Sequence, residues 1–124
     1  KNNNLSKRVK ILSDLNLYEI SCIYQKADIM IYPSIFEGFG IPILEALNSK
    51  IPVITSKGGC FHEVGGKNCL YVDPMSSDEI SNSIIKIDND AELRKQMIDF
   101  GYEHAQKFND KITAQNLMKV YQSL

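Results

Sequence analysis

Ile29-Met30-Ile31-Tyr32-Pro33-Ser34-Ile35-Phe36-Glu37-Gly38-Phe39-Gly40-Ile41-Pro42-Ile43-Leu44-Glu45-Ala46 reads as a strand, a loop and a helix in succession. Ile29 to Tyr32 is apolar without a break, which predicts a strand buried on both faces, and Pro33-Ser34 stops it. A loop with two glycines comes next. It opens into a helix over Ile41 to Lys50, with Pro42 near the first helical position, where a missing N–H costs nothing.

The same alternation continues on either side. Upstream, Val9 to Leu12 reads as a strand, and Leu17 to Ala27 as a helix with Leu17, Ile20, Tyr24 and Ala27 on one face. Downstream, Pro52 to Thr55 reads as the next buried strand. Gly58-Gly59 and Gly65-Gly66 bracket a short turn or helix at Phe61 to Val64, and Cys69 to Val72 is a fourth strand ended by Asp73-Pro74. From Ser76 the pattern is helical. Ser76 and Glu79 form a capping box ahead of Ile80, Ile84 and Ile87, and Asn89 with Glu92 repeats it ahead of Leu93, Met97 and Phe100. A last helix starts near Asp110, with Leu117, Val120, Tyr121 and Leu124 on one stripe, either core or a surface for an absent domain. The expected fold class is α/β: a Rossmann-like parallel sheet of about four strands, helices on both faces, and a helical C-terminal tail. Four strands are few for an open doubly wound sheet, and the chain opens on a polar tail without methionine. The expectation is therefore one N-terminally truncated domain over residues 1–124.

Composition narrows the function. With 124 residues, 44% hydrophobic and 23% charged, the chain suits one folded domain and not a disordered segment. Fourteen basic against 15 acidic residues give a net charge of -1, which excludes a generally basic nucleic-acid binder. No apolar run approaches the roughly 18 residues of a membrane span. Three cysteines without a CxxC pair argue against disulfides or zinc and for a reducing compartment. Cys60, His62 and Glu63 lack a fourth ligand, and the Asn4-Leu5-Ser6 sequon carries little information.

Ligands of such sheets bind beyond the carboxyl ends of the strands, where the glycine loop falls. Gly38 and Gly40 let the backbone approach a ligand, and the amides of Phe39, Gly40, Ile41 and Ile43 are candidates to face an anion at the helix start. A diphosphate fits. Glu37 and Glu45, with seven residues between them, flank this cradle. Carboxylates repel phosphate but accept hydroxyls, so a nucleotide sugar suits the layout: Glu45 at the ribose, Glu37 at the transferred sugar. The plainer alternative stays open. Glu45 is then a dipole-favouring acid, and the glycines serve only a tight turn in a non-catalytic α/β binding or interaction module. A small flavodoxin-like phosphate binder is a third reading.

Glu37-Gly38-Phe39-Gly40-Ile41-Pro42 with Leu44-Glu45-Ala46 resembles the E-x7-E signature of retaining GT-B glycosyltransferases, the family-four group. Tyr24-Gln25-Lys26-Ala27-Asp28 and Tyr32-Pro33-Ser34 resemble that group's approach to the motif. Ile51 to Ile54, Gly58-Gly59, Glu63-Val64 and Leu70 to Pro74 resemble the strands and loops on the motif's C-terminal side. The resemblance implies the later part of a donor-binding domain in a two-domain enzyme whose N-terminal acceptor domain is absent here. It implies a UDP- or GDP-linked sugar as donor, transferred with retention by a metal-independent reaction, in polysaccharide or glycoconjugate biosynthesis. Glu37 is then the catalytic-site acid on the transferred sugar, and Gly38, Phe39, Gly40, Ile41 and Glu45 bind the donor. The segment around Leu12-Ser13-Asp14 resembles the region that meets the nucleobase, and the basic phosphate-binding residues lie upstream of Lys1. The isolated piece is expected to be inactive. The resemblance further implies a cytoplasmic place, with contact to the cytoplasmic membrane face only through the missing part, and nucleic acid is not expected as a partner.

A hydrolase would use the two acids as an acid–nucleophile pair, which a helix-buried Glu45 suits badly. Asp88-Asn89-Asp90 spells a DxD metal motif but stands between helices, with Asn89 expected as a cap, so no metal site is assigned. Lys57 reads as a solvated loop cation more than a phosphate ligand. His104 reads as a packed structural residue beside Met97, Phe100 and Phe108.

Overall fold

A computed structural model describes residue 5 and residues 7–123. Asn4 and Ser6 of the sequon, and Leu124 of the last stripe, lie outside the described residues. Three strands form one parallel sheet in the order β1 (Met30–Tyr32), β2 (Val53–Ser56), β3 (Leu70–Val72). Each lies inside or beside a predicted apolar run. However, β1, at the edge of the described sheet, is not buried on both faces as expected: Ile31 is exposed. β2 is central and all four of its residues are buried, as a strand covered on both faces requires.

Its alternate residues serve two cores. Val53 packs with Ile43 and Leu47 of α2 (Ile41–Asn48) and with Phe61 and Val64 of α3 (Phe61–Gly65). Ile54 faces the opposite way, toward Val72, Ile87 of α4 (Ser77–Asn89) and Met97 of α5 (Ala91–Ala105). Ala105, at the other end of α5, belongs to the first core, so that helix ties the two together. Helices therefore cover both faces.

Several expectations are corrected. Val9 to Leu12 is not a strand, and the described sheet has three strands where about four were expected. No described strand pairs with this segment, and Ile11 stands 93% exposed; an apolar run becomes a strand only where a partner takes its backbone hydrogen bonds. The first helix, α1 (Leu17–Tyr24), stops a turn short of Ala27, and its capping box is Asn16 with Glu19. Ser76 caps α4, but the return half of the box is not made: the Glu79 carboxylate accepts from the Asp73 amide at 2.9 Å and from Lys57 Nζ at 2.7 Å. Those bonds hold Glu79 below the usual carboxylate range, the Lys57 contact foremost. Asn89 is the last residue of α4, and the cap of α5 is Asp90, whose extended backbone lets its carboxylate accept from the Leu93 amide at 2.8 Å. The final helix, α6 (Asp110–Gln122), buries no residue, so its apolar stripe is surface and not core, with Leu117, Val120 and Tyr121 all exposed.

Candidate functional site

The loop from Pro33 to Gly40 leaves the carboxyl end of β1 and is pinned by its neighbour strand. The Thr55 hydroxyl donates to the Tyr32 carbonyl at 3.0 Å, and the Ser56 hydroxyl donates to the Ser34 carbonyl. Both hydroxyls belong to fully buried residues, so these bonds also satisfy polar groups in the core. Further along, Cys60 Sγ donates to the Glu37 carbonyl at 3.5 Å.

The Glu37 side chain is held from within the loop. Its Oε1 accepts from the Tyr32 hydroxyl at 2.6 Å and from the Ser34 hydroxyl at 2.9 Å. The phenol and then the serine lower the carboxyl's pKa, against a smaller opposing push from burial. The same bond, more than burial, pushes the Tyr32 phenol up to about 12. Glu37 is therefore an anion at neutral pH. Because its folded value is depressed, the stability it contributes is present above the unfolded carboxylate value of about 4.3 and is lost as pH falls through the lowered one.

Gly40 forms the N-cap of α2 in the left-handed region (φ 97°, ψ 47°) and offers no side-chain cap. The helix start is therefore open. Pro42 has no N–H, and the Ile43 amide is used, donating to the Gly40 carbonyl at 3.0 Å, which removes Ile43 from the expected anion cradle. The amides of Phe39, Gly40 and Ile41 find no acceptor among the described residues. Gly38 has no atom within 4 Å of where a Cβ would stand, whereas a Cβ on Gly40 would meet Ile43 Cδ1 at 3.3 Å. Gly40→Ala is accordingly expected to destabilise by about 1–3 kcal/mol and Gly38→Ala by less than about 0.5 kcal/mol, measured by urea unfolding.

Glu45 is exposed, contrary to the expectation of a helix-buried acid. It sits on the α2 face turned toward α1, where the Tyr24 hydroxyl donates to its Oε2 at 3.0 Å. Burial, then the Glu45 bond, pushes that phenol up to about 12. A cleft of about 250 Å³ opens beside the pair, lined by Leu17, Ile20, Tyr24, Glu45 and Asn48. Leu12 to Asp14 lead into α1 as irregular backbone, with Asp14 left-handed at φ 56°.

The other candidates have structural employment. Lys57 pairs with Glu79. His104 Nε2 donates to the Glu63 carbonyl at 2.9 Å, and the ring packs edge-on to Phe108, as a structural histidine would. Asp90 of the DxD run is a helix cap. Cys60, His62 and Glu63 do not converge: His62 stacks on Tyr71 instead, at 3.8 Å between centroids. Among the described residues no three His, Cys, Asp or Glu side chains gather as a metal site would need. A larger cleft of about 800 Å³, between α3 and α5, is lined by His62, Lys67, Phe100, His104 and Lys107 and includes neither acid of the motif. No helix among the described residues is long and apolar enough to cross a membrane.

Sequence reasoning found the acids and glycines but missed Tyr24, Tyr32 and Ser34 as their partners. The signal available was faint: Ser34 stands three residues before Glu37, and Tyr32 is the one hydroxyl in an otherwise apolar strand.

Relatives agree with this architecture. The chain is 40% identical over 84 residues to the O-antigen chain mannosyltransferase RfbU of Salmonella typhimurium, covering 68% of this chain and 24% of that protein. It is 31% identical over 122 residues to the D-inositol 3-phosphate glycosyltransferase of Corynebacterium urealyticum, covering 97% and 29%. The sucrose-phosphate synthase structure from Thermosynechococcus elongatus superposes with a TM-score of 0.82 at 27% identity, covering 97% of this chain and 31% of that one. The chain thus spans less than a third of the length of each. The family model described as "Glycosyl transferases group 1" matches residues 1–104, and the chain belongs to that family.

Proposed function

We propose that this chain is the donor-binding part of a retaining GT-B glycosyltransferase, completed by an N-terminal acceptor domain. The donor is a UDP- or GDP-linked sugar. Glu45 accepts the ribose hydroxyls, the free amides of the Gly38 to Ile41 segment hold the diphosphate, and Glu37 accepts a hydroxyl of the transferred sugar. One observation carries the reading: an ionised Glu37, held through one oxygen only, stands beside a helix start whose amides at Phe39, Gly40 and Ile41 lack acceptors among the described residues.

The chemistry is set by that layout. Negative charge builds on the diphosphate as the bond to the sugar breaks, and amides already aimed at it stabilise that charge without reorganising. This assignment needs no metal, and the sugar keeps its configuration. Exposed Ile35, Phe36 and Ile41 around the loop, together with the uncovered face of α6, supply apolar surface for the acceptor domain. The enzyme works in the cytoplasm in building a polysaccharide or glycoconjugate, and any contact with the membrane runs through that other domain. Family membership weighs against a purely structural turn in a non-catalytic module.

The test is a calorimetric titration of the complete enzyme with UDP- and GDP-sugars, wild type against Glu45→Ala. Losing hydrogen bonds to a charged acceptor is expected to weaken donor binding roughly 10- to 100-fold. Unchanged affinity would remove Glu45 from the site. Residues 1–124 alone are expected to transfer no sugar, and robust transfer by them would contradict the two-domain reading.

A further inference from the structure

We infer that Tyr32 and Ser34 are positioning residues for the donor sugar: their hydroxyls grip one carboxylate oxygen of Glu37 and leave the other free to accept a sugar hydroxyl. The inference rests on the role proposed above for Glu37 and says what makes that role possible.

Glu37 belongs to no helix or strand, so its backbone alone does not aim the carboxylate. Both donors reach Oε1, and no described residue donates to Oε2. The serine has a single proton, and its distance to Glu37, 2.9 Å, is shorter than the alternative to the Phe36 carbonyl at 3.2 Å. Each donor is in turn fastened to the central strand, through Thr55 at the Tyr32 carbonyl and Ser56 at the Ser34 carbonyl. The carboxylate is thereby tied through two bonds to the most buried part of the sheet. Two hydroxyl donors also favour the charged, acceptor-only form of Glu37, which suits a partner that donates.

The complete enzyme would be titrated by calorimetry with UDP- and GDP-sugars and, separately, with UDP and GDP. Variants are Tyr32→Phe, Ser34→Ala, the pair together, Glu37→Gln, and Tyr32→Phe in the Glu37→Gln background. The double variant is expected to bind the nucleotide sugar roughly 10-fold more weakly, as free rotamers must be ordered on binding, while affinity for the free nucleoside diphosphate stays at the wild-type value. Tyr32→Phe should add no further loss once Glu37 is Gln. Carboxyl carbon NMR should show the Glu37 titration moving up toward the ordinary range in Tyr32→Phe. An equal loss for both ligands, or the full loss repeated in the Glu37→Gln background, would make the two hydroxyls merely structural and overturn the inference. If Glu37→Gln itself leaves the preference for sugar over free diphosphate intact, the proposed role of Glu37 fails and this inference falls with it.

Discussion

Ile54→Ala is expected to destabilise this chain by about 2–5 kcal/mol, read as a shift in the urea midpoint with the slope unchanged. Ile54 is fully buried in the middle strand and packs against Val72, Ile87 and Met97, which come from three different elements. A hole there can close only if a strand and two helices move together, so little of the lost contact is recovered. Ile54→Val removes one methyl group and should cost about 0.5–1.5 kcal/mol. Equal small losses for both variants would mean that the second core collapses freely around the gap. The effect should also reach the site, since the next two residues, Thr55 and Ser56, supply the hydroxyls that fasten the Glu37 loop.

The second large effect is at Gly66, which ends α3 with φ 68° and ψ -158°, a region open in practice only to glycine. A Cβ there would lie 2.8 Å from His104 Cγ and 2.9 Å from Nδ1. The ring has little room to retreat, because Nε2 is bonded to the Glu63 carbonyl and Phe108 packs against it. Backbone strain of about 1–3 kcal/mol and overpacking of about 1–3 kcal/mol therefore combine, and Gly66→Ala is expected to cost roughly 2–6 kcal/mol. Measured in a His104→Ala background the same substitution should keep only the backbone part. An identical penalty in both backgrounds would show that the imidazole yields and that strain alone accounts for the loss.

These two positions differ in how far the chain announces them. The central strand is legible because burial on both faces demands uninterrupted apolar residues, and Val53-Ile54 inside Pro52 to Thr55 meets that demand. The contact between Gly66 and His104 is not, since the two lie far apart in the chain and only the docking of α5 on α3 brings the ring over the glycine. Capping shows the same division at short range. Asn89 and Asp90 are both good caps, and α4 running one residue further passes the role to Asp90. Glu79 has the spacing of a capping box, yet Lys57 from another loop and the Asp73 amide outcompete the return bond.

What the residues specify on their own is therefore local: three strands lying in or beside apolar runs, the helix that Pro42 opens, the glycine loop before it, and two acids seven residues apart. Torsional preference and hydrophobic period are properties of near neighbours, so they survive without knowledge of the rest. Packing settled the remainder. It left Val9 to Leu12 without a partner among the described strands, exposed Glu45 beside Tyr24, took the Ile43 amide into the helix, and set Tyr32 and Ser34 on one oxygen of Glu37. A hydrogen bond needs a donor within about 3 Å at a proper angle, and that condition is met only once distant segments have taken up their places.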